Sequence, residues 1–307
     1  LPRSLEGFGG LKSEDYIVRR KLYLNYLYVV PALGFVLIFV YFPILMNFFN
    51  SLFSMSSYSD SKTFVGLDNY VRIFNDPIFY TAIKNNFLYA AFSLLFQVGL
   101  GLFLAILLEG RYVGKRIGTF FRNVLFIPSI ISIPAVALLW YFIYNPQIGL
   151  LNGILDTVGM GAFKTAWLSN PKTAIYSVIA MSQWQYTGYI MILLVVAIQK
   201  IPRELYESAE IDGANEFQKA VHITIPSIRS MLVVTTIITV IGSFKLFSEI
   251  YIMTGGGPYN TTQVLGTYMY RSAFLFDEMG FGSAVAVIIF VITFLISIFQ
   301  LKTFSRD

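Results

Sequence analysis

Ile201-Pro202-Arg203-Glu204-Leu205-Tyr206-Glu207-Ser208-Ala209-Glu210-Ile211-Asp212-Gly213-Ala214 lies between two long apolar runs and, with Glu216 just beyond it, holds five of the chain's seventeen acidic residues. Pro202 suits the first position of a helix, where its missing N–H costs nothing. Glu204 and Glu207 favour the N-terminal end of the macrodipole. Ile201, Leu205, Ser208 and Ala209 recur at helical spacing and give a small-residue apolar stripe. Gly213 permits a turn, and a second helical stretch follows as far as Pro226. The segment therefore reads as a short amphipathic helix, a turn and another helix lying beneath a membrane. The plain reading is a solvated hairpin capping a helical bundle; the sharper one is a docking element for a cytoplasmic partner.

The membrane follows from what surrounds this loop. Of 307 residues, 56 % are hydrophobic and only 13 % charged, and the mean hydropathy is +0.66. A soluble domain carries about 25 % charged residues. Disorder is excluded by 29 Phe and 20 Tyr. Six apolar runs, at Leu27–Phe49, Phe87–Leu108, Val124–Tyr144, Ala174–Ile198, Met231–Met253 and Phe281–Leu301, each approach the roughly 20 helical residues that cross a hydrocarbon core. None alternates with period two, so the expectation is an all-α integral membrane protein with six transmembrane helices rather than a β-barrel. Fifteen Lys and Arg fall on the side of the termini and the even-numbered loops, and six on the other. By the positive-inside tendency both termini are expected in the cytoplasm. The first run, behind Arg19-Arg20-Lys21, reads as a retained anchor rather than a signal-peptide core. The expected division is a cytoplasmic segment 1–26, a six-helix transmembrane domain 27–301 with a cytoplasmic loop 199–230, and a cytoplasmic tail 302–307.

Several chemistries are excluded. The absence of Cys and the single His222 remove thiolate and His-cluster metal sites and leave a membrane enzyme little to build on. The surplus of +5 charges is explained by cytoplasmic loops and implies no nucleic acid. The nearest approach to a P-loop, Gly110-Arg111-Tyr112-Val113-Gly114-Lys115-Arg116, is one residue short and has no hydroxyl after the Lys.

The loop also carries a resemblance. Glu207-Ser208-Ala209, three residues, Gly213, nine residues and Ile223-Thr224-Ile225-Pro226 resemble the EAA loop of permease subunits in binding-protein-dependent ABC importers. The family pattern is Glu-Ala-Ala, three residues, Gly, nine residues, then Ile, any residue, Leu and Pro. Ser208 and Ile225 depart from it, as does Ser230 where a second Pro is common. Tyr28-Val29-Val30-Pro31-Ala32, Phe64-Val65-Gly66-Leu67-Asp68-Asn69-Tyr70, Arg122-Asn123-Val124-Leu125-Phe126-Ile127-Pro128, Asn145-Pro146-Gln147-Ile148-Gly149-Leu150-Leu151-Asn152 and Thr254-Gly255-Gly256-Gly257-Pro258 look like the carbohydrate-uptake branch. The last is closest to the first of two permease subunits of the maltose type. The resemblance extends over nearly the whole chain, from about residue 25 to 302.

The resemblance implies a type I importer permease in a bacterial cytoplasmic membrane, paired with a second permease. It implies two ATPase subunits that bind ATP and Mg, and an extracytoplasmic solute-binding protein that delivers a saccharide. It implies no catalysis in this chain. Glu207, Ser208, Ala209, Asp212, Gly213, Ala214 and Pro226 are then expected to couple to the ATPases. The alternative is an ATP-independent secondary transporter or channel.

Ser182, Gln185, Tyr186 and Tyr189 follow i, i+3, i+4, i+7 spacing and share a face of the fourth run. Aromatic faces and amide dipoles suit a sugar, although interhelical hydrogen bonding would use the same groups. The resemblance places these four, with Ser129, Ile133, Ser243 and Leu246, at a sugar site. Gly242, Ser243, Leu246 and Glu249 are expected on one arc of a continuous fifth helix, with Lys245 at its edge. Lys245 and Glu249 read either as an i,i+4 ion pair that orients the helix or as groups bordering the pathway, where Lys245 would attract an anionic sugar.

Overall fold

Apolar segments in lipid must satisfy their own backbone groups, so the runs fold as helices wherever proline allows. The computed structural model describes residues 28–58, 61–110 and 113–304. The expected N-terminal segment 1–26, Leu27, Arg111 and Tyr112 of the basic loop, and residues 305–307 of the tail lie outside them.

In chain order, α1 (Tyr28–Asn50) leads into an antiparallel hairpin, β1 (Phe53–Met55) and β2 (Lys62–Phe64), with Phe53 opposite Phe64. Then come α2 (Asp68–Asn75) and α3 (Pro77–Glu109). Asp76 caps α3 by accepting the Ile78 N–H at 2.8 Å, with Pro77 at the first helical position. A π-helical stretch, Leu94–Leu100, interrupts α3. The chain continues through α4 (Lys115–Ile130), α5 (Ile133–Ile143), α6 (Leu150–Thr157) and α7 (Ala174–Ile198). The loop helices are α8 (Arg203–Ile211) and α9 (Glu216–Ser227), followed by α10 (Arg229–Phe244). The last are α11 (Ser248–Met253), α12 (Leu265–Tyr270) and α13 (Met279–Phe304).

Among the described residues four helices, α1, α3, α7 and α13, are each long and apolar enough to cross a membrane unbroken, and counting each of two bent pairs as one span brings the number to six. Two of the expected spans are therefore corrected. The third is broken: α4 and α5 meet at 97°, because Pro134 has no N–H to continue the ladder and Ile131 and Ser132 turn extended ahead of it. The fifth is not one helix over Met231–Met253. It ends at Phe244 and resumes at Ser248, and at its N-terminal end α9 enters α10 at 74°. The second span begins ten residues before the expected Phe87, whereas the fourth has the expected bounds. The β-hairpin and the short helices α2, α6 and α12 occupy stretches expected as loops.

The packing centres on α7. Ile190, Met191, Leu194 and Ile198 pack against Ala105 and Leu108 of α3. Further along, Val178, Ile179 and Met181 pack against Val136 and Ala137 of α5 and Ile250 of α11. Gly188 lets α4 approach closely: a Cβ there would fall on the Leu125 carbonyl. A third cluster joins Phe79 and Ala82 of α3, Val240 and Phe244 of α10, Leu265 of α12 and Val285 of α13. Within it Asn86 is a staple, its amide donating to the Ser243 carbonyl at 2.7 Å and accepting the Leu265 N–H at 2.8 Å. Helix α1 is bare over most of its length and touches α13 near its end, through Phe48 on Phe290 and Asn47 on the Ser283 carbonyl.

Candidate functional site

A cavity of about 330 Å³ opens between α3, α4, α7, α10 and α11. Its size falls at the lower end of small-molecule sites. Helix α7 contributes Ser182, Tyr186 and Tyr189, as the helical spacing predicts. Ser129 comes from the last turn of α4, just before the break. Helix α10 adds Ile238, Thr239, Gly242 and Ser243. The break after Phe244 then lowers Leu246 into the wall, and α11 supplies Glu249. Gly242, Ser243, Leu246 and Glu249 do share one wall, but a broken backbone puts them there and not a continuous helical arc. Ser129 and Ser243 donate to the carbonyls of Phe126 at 2.7 Å and Thr239 at 2.8 Å. The Thr239 hydroxyl is buried without a partner.

Three expected residues stand elsewhere. The Gln185 side-chain amide donates to the Ile131 carbonyl at 3.2 Å, so it serves the backbone group that the α4–α5 break leaves open and does not line the cavity. Ile133 starts α5 and is likewise off the wall. Lys245 is exposed at the C-terminal end of α10, where carbonyl ends favour a cation. Because the helix stops there, no i,i+4 geometry links it to Glu249, and no ion pair joins the two among the described residues.

The cavity also includes residues that the sequence reading passed over, notably Tyr89 and Gln97 of α3. Tyr89 hydrogen-bonds Ser182, and the Gln97 amide donates to Gln183 at 3.0 Å. Polar residues inside a long apolar helix were the available signal.

The second site is the loop hairpin. Gly213 turns at φ +79°, the left-handed region that favours glycine. Asn215 and Gln218 cap α9 reciprocally at 2.9 and 2.8 Å. Buried Lys219 ties α9 to α8, reaching Glu216 at 2.6 Å and Glu210 at 2.9 Å. The hydroxyls of Tyr206 and Thr224 meet at 2.9 Å. Glu207, Ser208, Asp212 and Gly213 are exposed, with Ala209 and Ala214 partly so, and Pro226 is exposed near the end of α9. Apolar Ile211 and Phe217 are 88 % and 77 % exposed beside them. Among the described residues no group of His, Cys, Asp or Glu could hold a metal ion.

The family profile described as "Binding-protein-dependent transport system inner membrane component" matches residues 97–304, which hold α7, the hairpin and α10. This chain belongs to that family. Among its relatives is the probable ABC transporter permease protein YurN of Bacillus subtilis, 49 % identical over 94 % of this chain and 98 % of the relative. Another is the trehalose/maltose transport system permease protein MalF of Thermococcus litoralis, 33 % identical over 94 % and 96 %. The fold is similar to a chain of a bacterial ABC transporter involved in the import of the acidic polysaccharide alginate, with TM-score 0.83, 26 % identity and coverage of 95 % and 99 %. It is also similar to a chain of the alginate transporter in complex with an alginate pentasaccharide-bound periplasmic protein, with TM-score 0.81, 27 % identity and coverage of 94 % and 95 %. The permease fold expected from the EAA-like spacing is thus the fold of the chain.

Proposed function

We propose that this permease forms half of the membrane-spanning part of an ATP-driven saccharide importer. The observation that carries the reading is the cavity wall, where tyrosine faces alternate with serine and threonine hydroxyls, chemistry that matches the C–H patches and hydroxyls of a sugar. A relative named for trehalose and maltose and a neighbour solved with a saccharide-loaded periplasmic protein support the substrate class. The partners are a second permease, two ATPase subunits carrying ATP and Mg, and an extracytoplasmic binding protein, all in a bacterial cytoplasmic membrane with both termini inside.

Coupling runs through the hairpin. Glu207 pairs with a basic group of an ATPase groove, while Ala209 and Gly213 allow close approach. Helix α9 passes into α10 across a single residue, Ile228, and the other end of α10 carries Thr239, Gly242 and Ser243 of the cavity. A displacement of the hairpin when the ATPases close therefore has a covalent route to the sugar, and alternating access follows from two positions of that route.

The test is reconstitution in proteoliposomes. Uptake requires the second permease, the ATPases and the loaded binding protein. Gly213→Pro, which the positive φ forbids, separates ATP hydrolysis from uptake while binding-protein affinity stays unchanged. Uptake by this chain and a second permease without any ATPase would establish a secondary transporter or channel instead.

A further inference from the structure

Glu249 is 5 % exposed and lines the cavity, and among the described residues no Lys, Arg or His shares that wall. Lys245, the nearest basic residue in sequence, is exposed and off the wall. We infer that the cavity selects uncharged saccharide units and rejects uronates and sugar phosphates, with Glu249 as the specificity-determining residue. This rests on the saccharide reading above and narrows it.

The exclusion follows from charge. An ionised Glu249 repels an anion inside a low-dielectric wall. A protonated Glu249 still leaves that anion without a counter-charge to offset its lost hydration. Ser129 and Ser243 do not make up for it: each commits its one proton to a backbone carbonyl, so neither can donate to a carboxylate or phosphate oxygen. The alginate importer with the similar fold handles an acidic polysaccharide, so the exclusion belongs to these side chains and not to the fold.

The experiment uses the assembled importer in lipid nanodiscs without binding protein, so that delivery cannot impose its own selectivity. Equilibrium dialysis compares maltotriose and cellotriose with trigalacturonate. The wild type is expected to hold a neutral trisaccharide at least about ten-fold more tightly than the uronate, as like-charge juxtaposition dictates. Glu249→Gln is expected to shrink that ratio, with ATPase activity of the complex reporting its assembly, and Lys245→Gln is expected to leave it alone. Equal binding of neutral and acidic sugars by the wild type overturns the inference, as does an unchanged ratio in Glu249→Gln or its loss in Lys245→Gln. No binding of any of the three sugars overturns the saccharide reading beneath it.

Discussion

Gly188 decides how closely two helices meet. Its position in α7 faces the Leu125 carbonyl of α4, and a methyl group there would occupy the space of that oxygen. Backbone cannot turn aside as a flexible side chain does, so α4 must move. Gly188→Ala is expected to cost at least about 1–3 kcal/mol, in line with overpacked cores, and to lower the melting temperature of the purified complex. Gly101 is the matched control. A Cβ there would meet the Met191 nitrogen at 3.4 Å, an ordinary contact, so Gly101→Ala is expected to melt with the wild type. At this scale the sequence was partly legible. Tyr186 and Ser182 could be placed on a common face from spacing alone. Gln185 could not be separated from them, because its task is set by a broken helix elsewhere, whose open carbonyl at Ile131 takes its amide.

Among the elements, the loop hairpin and the β-hairpin are both fastened by charged groups, with opposite pH signs. Glu216 first and Glu210 second hydrogen-bond Lys219 and hold its ammonium above the usual lysine range. A raised basic group stabilises fully below its unfolded pKa of about 10.4 and fails only as the pH climbs through the folded value. Ser56 and Ser57 hydrogen-bond Asp277 and hold it below the usual carboxylate range. That clasp is complete above the unfolded value of about 3.9 and is lost as acid protonates the folded group. Hydrogen exchange across 203–227, corrected for intrinsic rates, is therefore expected to stay level between about pH 6 and about pH 9. Lys219→Met removes two pairs of up to about 1 kcal/mol each and should raise exchange there roughly ten-fold. An unchanged rate would mean that capping by Asn215 and Gln218 holds the hairpin without the lysine. The hairpin itself was legible because Pro202, Gly213 and the acids mark its ends. The breaks after Ile130 and Phe244 were not. At the first, hydropathy runs unbroken and nothing local distinguishes a proline that bends α4–α5 from one that starts a helix, as Pro77 does; at the second, Lys245 and Glu249 fit the i,i+4 spacing of a continuous helix.

For the whole molecule, sidedness rests on charge counts, and the sequence offers a clean way to measure it. With no cysteine in the chain, a single introduced thiol reports its own compartment once partner subunits are made cysteine-free. Lys172→Cys, before α7, is expected to react with a membrane-impermeant maleimide in intact spheroplasts. Asp212→Cys, at the hairpin turn, is expected to react only after the membrane is opened. The reverse pattern would invert the topology and with it the assignment of the hairpin to the ATPase side. That hairpin and the cavity stand at opposite ends of α10, and this has a mechanical consequence. A rod of 16 residues is about 24 Å long. Tipping such an arm by about 10° at the Ile228 fulcrum sweeps its far end through about 4 Å at a rise of 1.5 Å per residue. That stroke is wider than the gap between two touching side chains, so a small tilt beneath the membrane has the leverage to open or shut the chamber above it.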